Sequence, residues 1–502
     1  MAPHRAALVL GMLIALALQG CGHAVADAPK ARPQLSDAQA RGFERAAVLG
    51  DWDPLADDDA ALAPQFIVDP RHADGRTRFA SVQAAVMHAH AHARRPVRPQ
   101  GPTHTTPHTT PHTASQTTVR GERIVIGIAA GSFDEVVHLP PGTVPLTLRG
   151  LGATPSEVRL RFALHAGASG SGFKRRVARP MAAARRLPSK LPSELPAELP
   201  AEISTRLARC TVRDRIGTFC TAVLIIERDG TRLQNLSIEN THVDGPSGAD
   251  QQAVALAVEG ADRVHLDRVH LLGHQDTLYL AKSAATAKPA RSFIDRSLVA
   301  GDVDFIFGNA TAFVQRSEVR FNGAERGRDT GFIAAPSTDL HTPHGFVFDD
   351  CDFTAVPGPV PQRVHLARQW FPGAACSPYG DAAATCRIAS SDTAAGPGEL
   401  KRSALTAIGQ MVVMRSRLGA HIAADEPWAP WQRDRAHRAY RPAQHDSDEA
   451  WRLLAGAGHD PAAFGFPPPQ AAKPWLAEHR NRLCTPARET CTPAPNRRSG
   501  LE

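Results

Sequence analysis

The chain has 502 residues, of which 42% are apolar, 21% charged and 6% aromatic. This globular composition excludes wholesale disorder and leaves room for one large domain with extensions. The 39 glycines and 41 prolines follow no collagen period. Lys and Arg number 57 against 50 Asp and Glu, a net charge of +7, yet nine cations and three glutamates lie between Lys174 and Arg209. The surplus is therefore local. It reads as a solvated basic loop, and no nucleic-acid partner is expected.

The chain opens with a charged Met1–Arg5 and an apolar run, Ala6–Leu18, broken only by Gly11. Thirteen residues are too few for a permanent span and suit an export signal. Leu18-Gln19-Gly20-Cys21 resembles a bacterial lipoprotein signal covering residues 1–20, with Cys21 as the acylated N-terminus. Gly22 then fits outer-membrane sorting. Several acyl chains on Cys21 would hold stably, at about 0.8 kcal/mol per buried methylene. A soluble periplasmic or secreted protein is the alternative. An N-terminal segment, 21–61, follows.

A domain over residues 62–440 carries two low-complexity inserts. The first, near 93–120, contains His104, His108 and His112 with Pro at every fourth position, which forbids helix and reads as an exposed loop. The second, near 174–203, repeats Leu-Pro-Ser and Leu-Pro-Ala units. It shows no periodicity for a core. The extension 441–502 reads as short helices and irregular chain.

Eight cysteines agree with export. With Cys21 set aside, the pairs 210/220, 376/386 and 484/491 would close short loops in an oxidising compartment. Cys351 is left as a buried thiol in an apolar strand. No Cys/His spacing points to zinc.

Within the domain a short pattern recurs. Val264-His-Leu-Asp-Arg-Val-His-Leu, Phe293-Ile-Asp-Arg-Ser-Leu-Val, Phe313-Val-Gln-Arg-Ser-Glu-Val, Phe346-Val-Phe-Asp-Asp-Cys-Asp-Phe and Val412-Val-Met-Arg-Ser-Arg-Leu share it. Short apolar strands at irregular spacing, with variable loops, predict an all-β parallel β-helix solenoid. A β-sandwich would show regular two-residue hairpin signals, and Asn322-Gly323 alone does not supply them.

Three segments carry candidate chemistry: Gln252-Ala-Val-Ala-Leu, Gly273-His-Gln-Asp-Thr-Leu-Tyr279 and Gly301-Asp-Val-Asp-Phe-Ile-Phe-Gly308. Gln252 to Asp276 is 24 residues and Asp276 to Asp304 is 28, each about one winding, the second with a bulge near 284–292. Residues one winding apart stack at roughly 4.8 Å. Two carboxylates so close split their titrations, leaving one as a base or nucleophile and one as an acid. Amides of Gln252 and Gln275 would face a developing oxyanion. Alternation points Asp302 and Asp304 the same way and Phe305 the other, so spacing does not choose between the aspartates. An arbitrary aspartate in a solenoid turn more commonly caps backbone amides.

Taken together with Leu366-Ala-Arg-Gln-Trp370, these segments resemble the pectin methylesterase (pectinesterase) family. Phe66-Ile-Val-Asp-Pro, Phe79-Ala-Ser-Val-Gln-Ala-Ala and Trp428-Ala-Pro-Trp431 extend the likeness over about residues 62–435, less the inserts. The resemblance implies a right-handed, single-stranded β-helix and hydrolysis of methyl esters of galacturonan, giving methanol and acidic polysaccharide. It implies Asp304 as nucleophile, Asp276 as acid and later base, Gln252 and Gln275 as oxyanion donors, and Arg368 as the partner of Asp304. Trp370, with Phe305 and Tyr279, would contact the sugar. No cofactor or metal is implied, and a monomer is expected. The family's Leu-Gly-Arg-Pro-Trp stands here as Leu-Ala-Arg-Gln-Trp, so Ala367 and Gln369 are expected to re-shape the sugar groove.

A related lipoprotein branch makes hydrolysis of another ester or of an acyl-CoA thioester the nearer rival. A non-catalytic polysaccharide-binding lipoprotein is the more distant one. Asp329-Thr330-Gly331 has no second copy to form an aspartic-protease pair, and there is no Gly-x-Ser-x-Gly elbow.

Overall fold

The computed structural model describes residues 32–56, 61–93, 123–183, 199–243, 250–283, 288–358, 362–379, 386–389, 396–431, 439–469 and 472–484. The export segment with Cys21, the histidine-rich stretch and Cys491 lie outside the described residues. The described residues all fall in the compact unit Arg32–Glu502.

The strands of the two large sheets, 18-stranded and 8-stranded, pair in parallel, and in the smaller one each strand neighbours the corresponding strand of the next winding. This is the parallel β-helix that the repeat predicts. Alternation sorts the side chains into columns. Leu224, Leu256, Leu278, Ile306 and Ala334 are in register and no more than 1% exposed. Each fully buried Leu or Ile contributes about 2 kcal/mol. Their neighbours Ile225, Ala257, Tyr279, Phe307 and Ala335 form the adjacent column on the outer face.

The recurring polar pair is the corner of each winding. Arg268, Arg296, Arg316, Asp350 and Arg415 all hold left-handed backbone, with φ between 48° and 57°, which turns the chain from one strand to the next. The arginines stay in place through a ladder of ion pairs: Arg296 with Asp267, Arg316 with Asp295, and Arg415 with Asp349. The residue after each corner completes a second ladder. Ser297 Oγ accepts from Val269 N, Ser317 Oγ from Ser297 N, and Ser416 Oγ from Cys351 N. Cys351 is a free, buried thiol occupying a serine's place there; its Sγ donates to Val314 O at 3.4 Å.

Helix Val82–Ala93 covers one open end, burying Val82, Ala85, Val86 and Ala89. The amides of Val82 and Gln83 donate to Glu135 at 2.7 and 3.0 Å, satisfying donors that a helix start leaves bare. At the other end the tail forms short helices, as expected, and in addition a strand that the sequence reading did not anticipate. After helix Ser447–Gly456, strand Leu476–His479 pairs with Met411–Met414 and adds another winding. Leu35, Phe43 and Val48 of the N-terminal segment pack on its outer face with Met414 and Ala477. The described parts of the N-terminal segment and of the tail thus belong to the domain's own packing.

The second insert's Leu-Pro repeats before Leu199 lie outside the described residues. Its described flanks are helical, Gly170–Ala183 and Ala201–Thr211, burying Phe173, Val177, Met181 and Ile203. Phe173, Val177 and Met181 recur every four residues, the apolar period of a helix. Disulfides join Cys210 to Cys220 and Cys376 to Cys386, as the spacing predicts. Cys484 is disulfide-bonded as well.

Candidate active site

A cleft of about 320 Å³ opens over the outer face of the smaller sheet, and Gln252, Gln275, Asp276, Asp304, Arg368 and Trp370 all line it. The winding arithmetic holds for one step and misses the other. Leu278 pairs with Ile306, a step of 28, but Leu256 pairs with Leu278, a step of 22. Gln252 therefore stands two residues out of register with Asp276 and reaches the cleft from the preceding turn. Ala253 N donates to Gln275 O at 3.0 Å, which holds the two glutamine segments side by side.

Strict alternation would turn Asp304 inward, because Ile306, two residues on, is interior. The chain avoids this with a β-bulge between Val303 and Ile306 and a left-handed Asp304, φ 49°. A bulge re-aims the side chain at such a point, and Asp tolerates left-handed backbone better than most residues. Asp276 has the same geometry, φ 67°, before interior Leu278. Both carboxylates reach the cleft only through this local conformation. Asp276 N donates to Val303 O at 3.1 Å, placing it one residue from Asp304 across the winding.

The bulge also corrects one expected contact. Phe305 is 0% exposed in the central core and touches no cleft; Phe307 takes the groove position instead. Tyr279 is not among the lining residues either. It supports them, its ring lying between Phe307 (centroids 4.7 Å) and Phe219 (5.0 Å).

Arg368 holds Asp304 in two parallel bonds, Nε to Oδ1 at 2.9 Å and Nη2 to Oδ2 at 2.6 Å. Such a fork is strong and directional. The guanidinium also lies over the rings of Phe332 and Trp431, at 3.9 and 4.5 Å. Among the described residues Asp276 has no such partner. Burial, and then the neighbouring Asp304, push its carboxyl well above the usual carboxylate range. One carboxylate is thus held by a cation while burial favours the neutral form of the other. Asp302, left open by the spacing, is separated from this pair. It does not line the cleft, is fully buried, and pairs with Arg326 at 3.2 Å and Arg328 at 3.4 Å. Burial raises it to about 6.

The Gln369 side chain does not line the groove. It is 1% exposed and turns into the body, donating to Ile408 O, Gly409 O and Gln444 O and accepting from Gln444 N at 2.9 Å. Ala367 is likewise buried in its strand. Sequence reasoning missed the opposite wall, formed by Thr218 and the 41% exposed Phe219. The Cys210–Cys220 disulfide and the bond from Arg206 to Phe219 O fix that wall. It also gave no function to Phe332 or Trp431.

The fold and this cleft define a β-helical carboxylic-ester hydrolase. Residues 202–372 match the family model described as Pectinesterase. Pectinesterase B of Dickeya dadantii is 27% identical over 89% of this chain and 95% of its own. A putative acyl-CoA thioester hydrolase of Escherichia coli, YbhC, is 27% identical over 52% of this chain and 58% of its own. The solved rice weevil pectin methyl esterase superposes with a TM-score of 0.60, at 24% identity, over 90% of this chain and 97% of that one. Such neighbours share the right-handed parallel β-helix.

Proposed function

We propose that the protein removes methyl esters from galacturonan, with Asp304 as nucleophile and Asp276 as acid and base. The observation that carries this is the unequal pair: an arginine-forked carboxylate beside a buried carboxyl that no cation among the described residues forks. Asp304 attacks the ester carbonyl carbon, and the amides of Gln252 and Gln275 stabilise the oxygen that becomes negative. As the intermediate collapses, Asp276 gives its proton to the departing methoxide, releasing methanol and leaving an acyl-aspartate. The resulting Asp276 carboxylate takes a proton from water. The hydroxide attacks the acyl carbon, freeing the uronate and restoring Asp304. Trp370 offers a ring face for the sugar. Relatives named pectinesterase support this substrate class.

The test is methanol release from methyl-esterified galacturonan by wild type and Asp304→Ala, with loss of about a thousandfold or more expected. Turnover by Asp304→Ala within tenfold of wild type would refute the nucleophile. A second reading, hydrolysis of an acyl-CoA thioester by the same residues, is favoured by the E. coli relative's name. Thiol release without methanol release would select it, and tight polysaccharide binding with neither product would select the non-catalytic reading. We also propose export with acylation at Cys21, supported by Ala6–Leu18 and the following Gln-Gly-Cys. Incorporation of labelled palmitate into wild type but not Cys21→Ala tests it.

A further inference from the structure

Part of the local charge surplus forms a surface on the described flanks of the insert. On the segment Gly170–Ala183 the apolar side chains Phe173, Val177 and Met181 face inward, and Lys174, Arg175, Arg176 and Arg179 are exposed. After the helix Ala201–Thr211 come exposed Arg213 and Arg215, and Arg209 is exposed on its last turn. Gly170 N donates to Arg213 O at 2.9 Å and Ile216 N to Ala168 O at 2.9 Å, so the two arms are stitched together. Seven exposed cations thus share this small element with two exposed acids, Glu202 and Asp214, among the described residues. Of the seven, Arg215 pairs with Asp250 and Arg176 lies over the Phe162 ring.

This basic element is fastened to the cleft. The Cys210–Cys220 disulfide joins it to the loop whose Thr218 and Phe219 form the cleft wall. Arg209 is near enough to the aromatic column to act electrostatically on Tyr279. The proposed reaction turns a neutral methyl ester into a carboxylate at every turnover, so a processed polymer becomes steadily more anionic. Resting on that reading, we propose that the basic face of the insert is a docking surface for the de-esterified, polyanionic stretch of the polysaccharide, outside the catalytic cleft. Clustered exposed cations attract such a chain over a Debye length, about 10 Å at moderate salt. The same electrostatics would favour an anionic membrane surface. The tether to the cleft wall favours the polymer.

The experiment measures binding rather than turnover. Full-length Asp304→Ala protein is titrated with fully de-esterified polygalacturonate, fully methyl-esterified galacturonan and phosphatidylglycerol vesicles, at low and physiological salt. The same titrations follow in an added Lys174→Gln/Arg175→Gln/Arg176→Gln/Arg213→Gln background, with the melting temperature as the folding control. The expected result is salt-sensitive binding of polygalacturonate that the four substitutions weaken at least about tenfold, with esterified polymer little affected. Equal polygalacturonate binding by the substituted protein would overturn the proposal, as would vesicle binding without polygalacturonate binding. Retained turnover by Asp304→Ala would instead strike only the catalytic reading.

Discussion

The guanidinium of Arg368 lies 3.9 Å from the ring centre of Phe332 while its edge forks the carboxylate of Asp304. With Trp431 at 4.5 Å, the rings fix the plane in which the arginine presents its two donors. A desolvated cation–π contact is worth about 1–2 kcal/mol, and about 1.4 kcal/mol is tenfold in rate. Phe332→Ala or Trp431→Ala should therefore lower kcat about tenfold with less change in KM. Phe332→Tyr should restore it. Arg368→Lys, which cannot fork, should lose more than either. Steady-state kinetics on one esterified substrate checks the order.

Asp276 links activity to stability in opposite directions. Its folded-state pKa is raised, so the folded protein binds this proton more tightly than the unfolded chain. Stability accordingly falls as pH rises from about 4, the unfolded value, toward the folded one. Asp276→Asn should raise the melting temperature at neutral pH, do little below pH about 4, and abolish turnover. In wild type kcat/KM should fall on the alkaline side as Asp276 loses the proton that methoxide needs. Parallel melting curves and rate profiles across pH test both.

Asp302 and Asp304 are two residues apart and should behave differently. Asp302→Asn should keep kcat within about tenfold, since the group lies outside the cleft. Asp302→Ala should cost about 3–5 kcal/mol of stability, the usual penalty for breaking a buried pair by removing one partner. Asp304→Ala should show the reverse, lost activity with a folded protein. Urea unfolding beside an activity assay separates them.

Gln369 predicts a purely structural effect. Proline here, as in the family pattern, would remove its side-chain bonds to Ile408, Gly409 and Gln444. At about 1 kcal/mol for each buried bond lost, Gln369→Pro should destabilise by about 2–4 kcal/mol. The KM of the surviving enzyme should barely change. A shifted urea midpoint with unaltered KM is the expected outcome.

Much of this is local and readable along the chain. The polar pairs at Arg268, Arg296, Arg316 and Arg415 mark corners because a turn must be made at every winding. The 28-residue interval between Asp276 and Asp304 is one step of the helix, and cysteines ten residues apart close their loops. What only the tertiary structure decides are the departures from periodicity. The left-handed bulge at Asp304 sends one aspartate to the cleft and Phe305 to the core, and no alternation rule contains it. The choice of Asp304 over Asp302 depends on Arg368, Arg326 and Arg328, brought near by other windings and loops. Phe219 and Trp431 come from opposite sides of the domain sequence to line one cleft. Strand periodicity is imposed by each residue's own backbone. A side chain's partners are imposed by windings stacked tens of residues away.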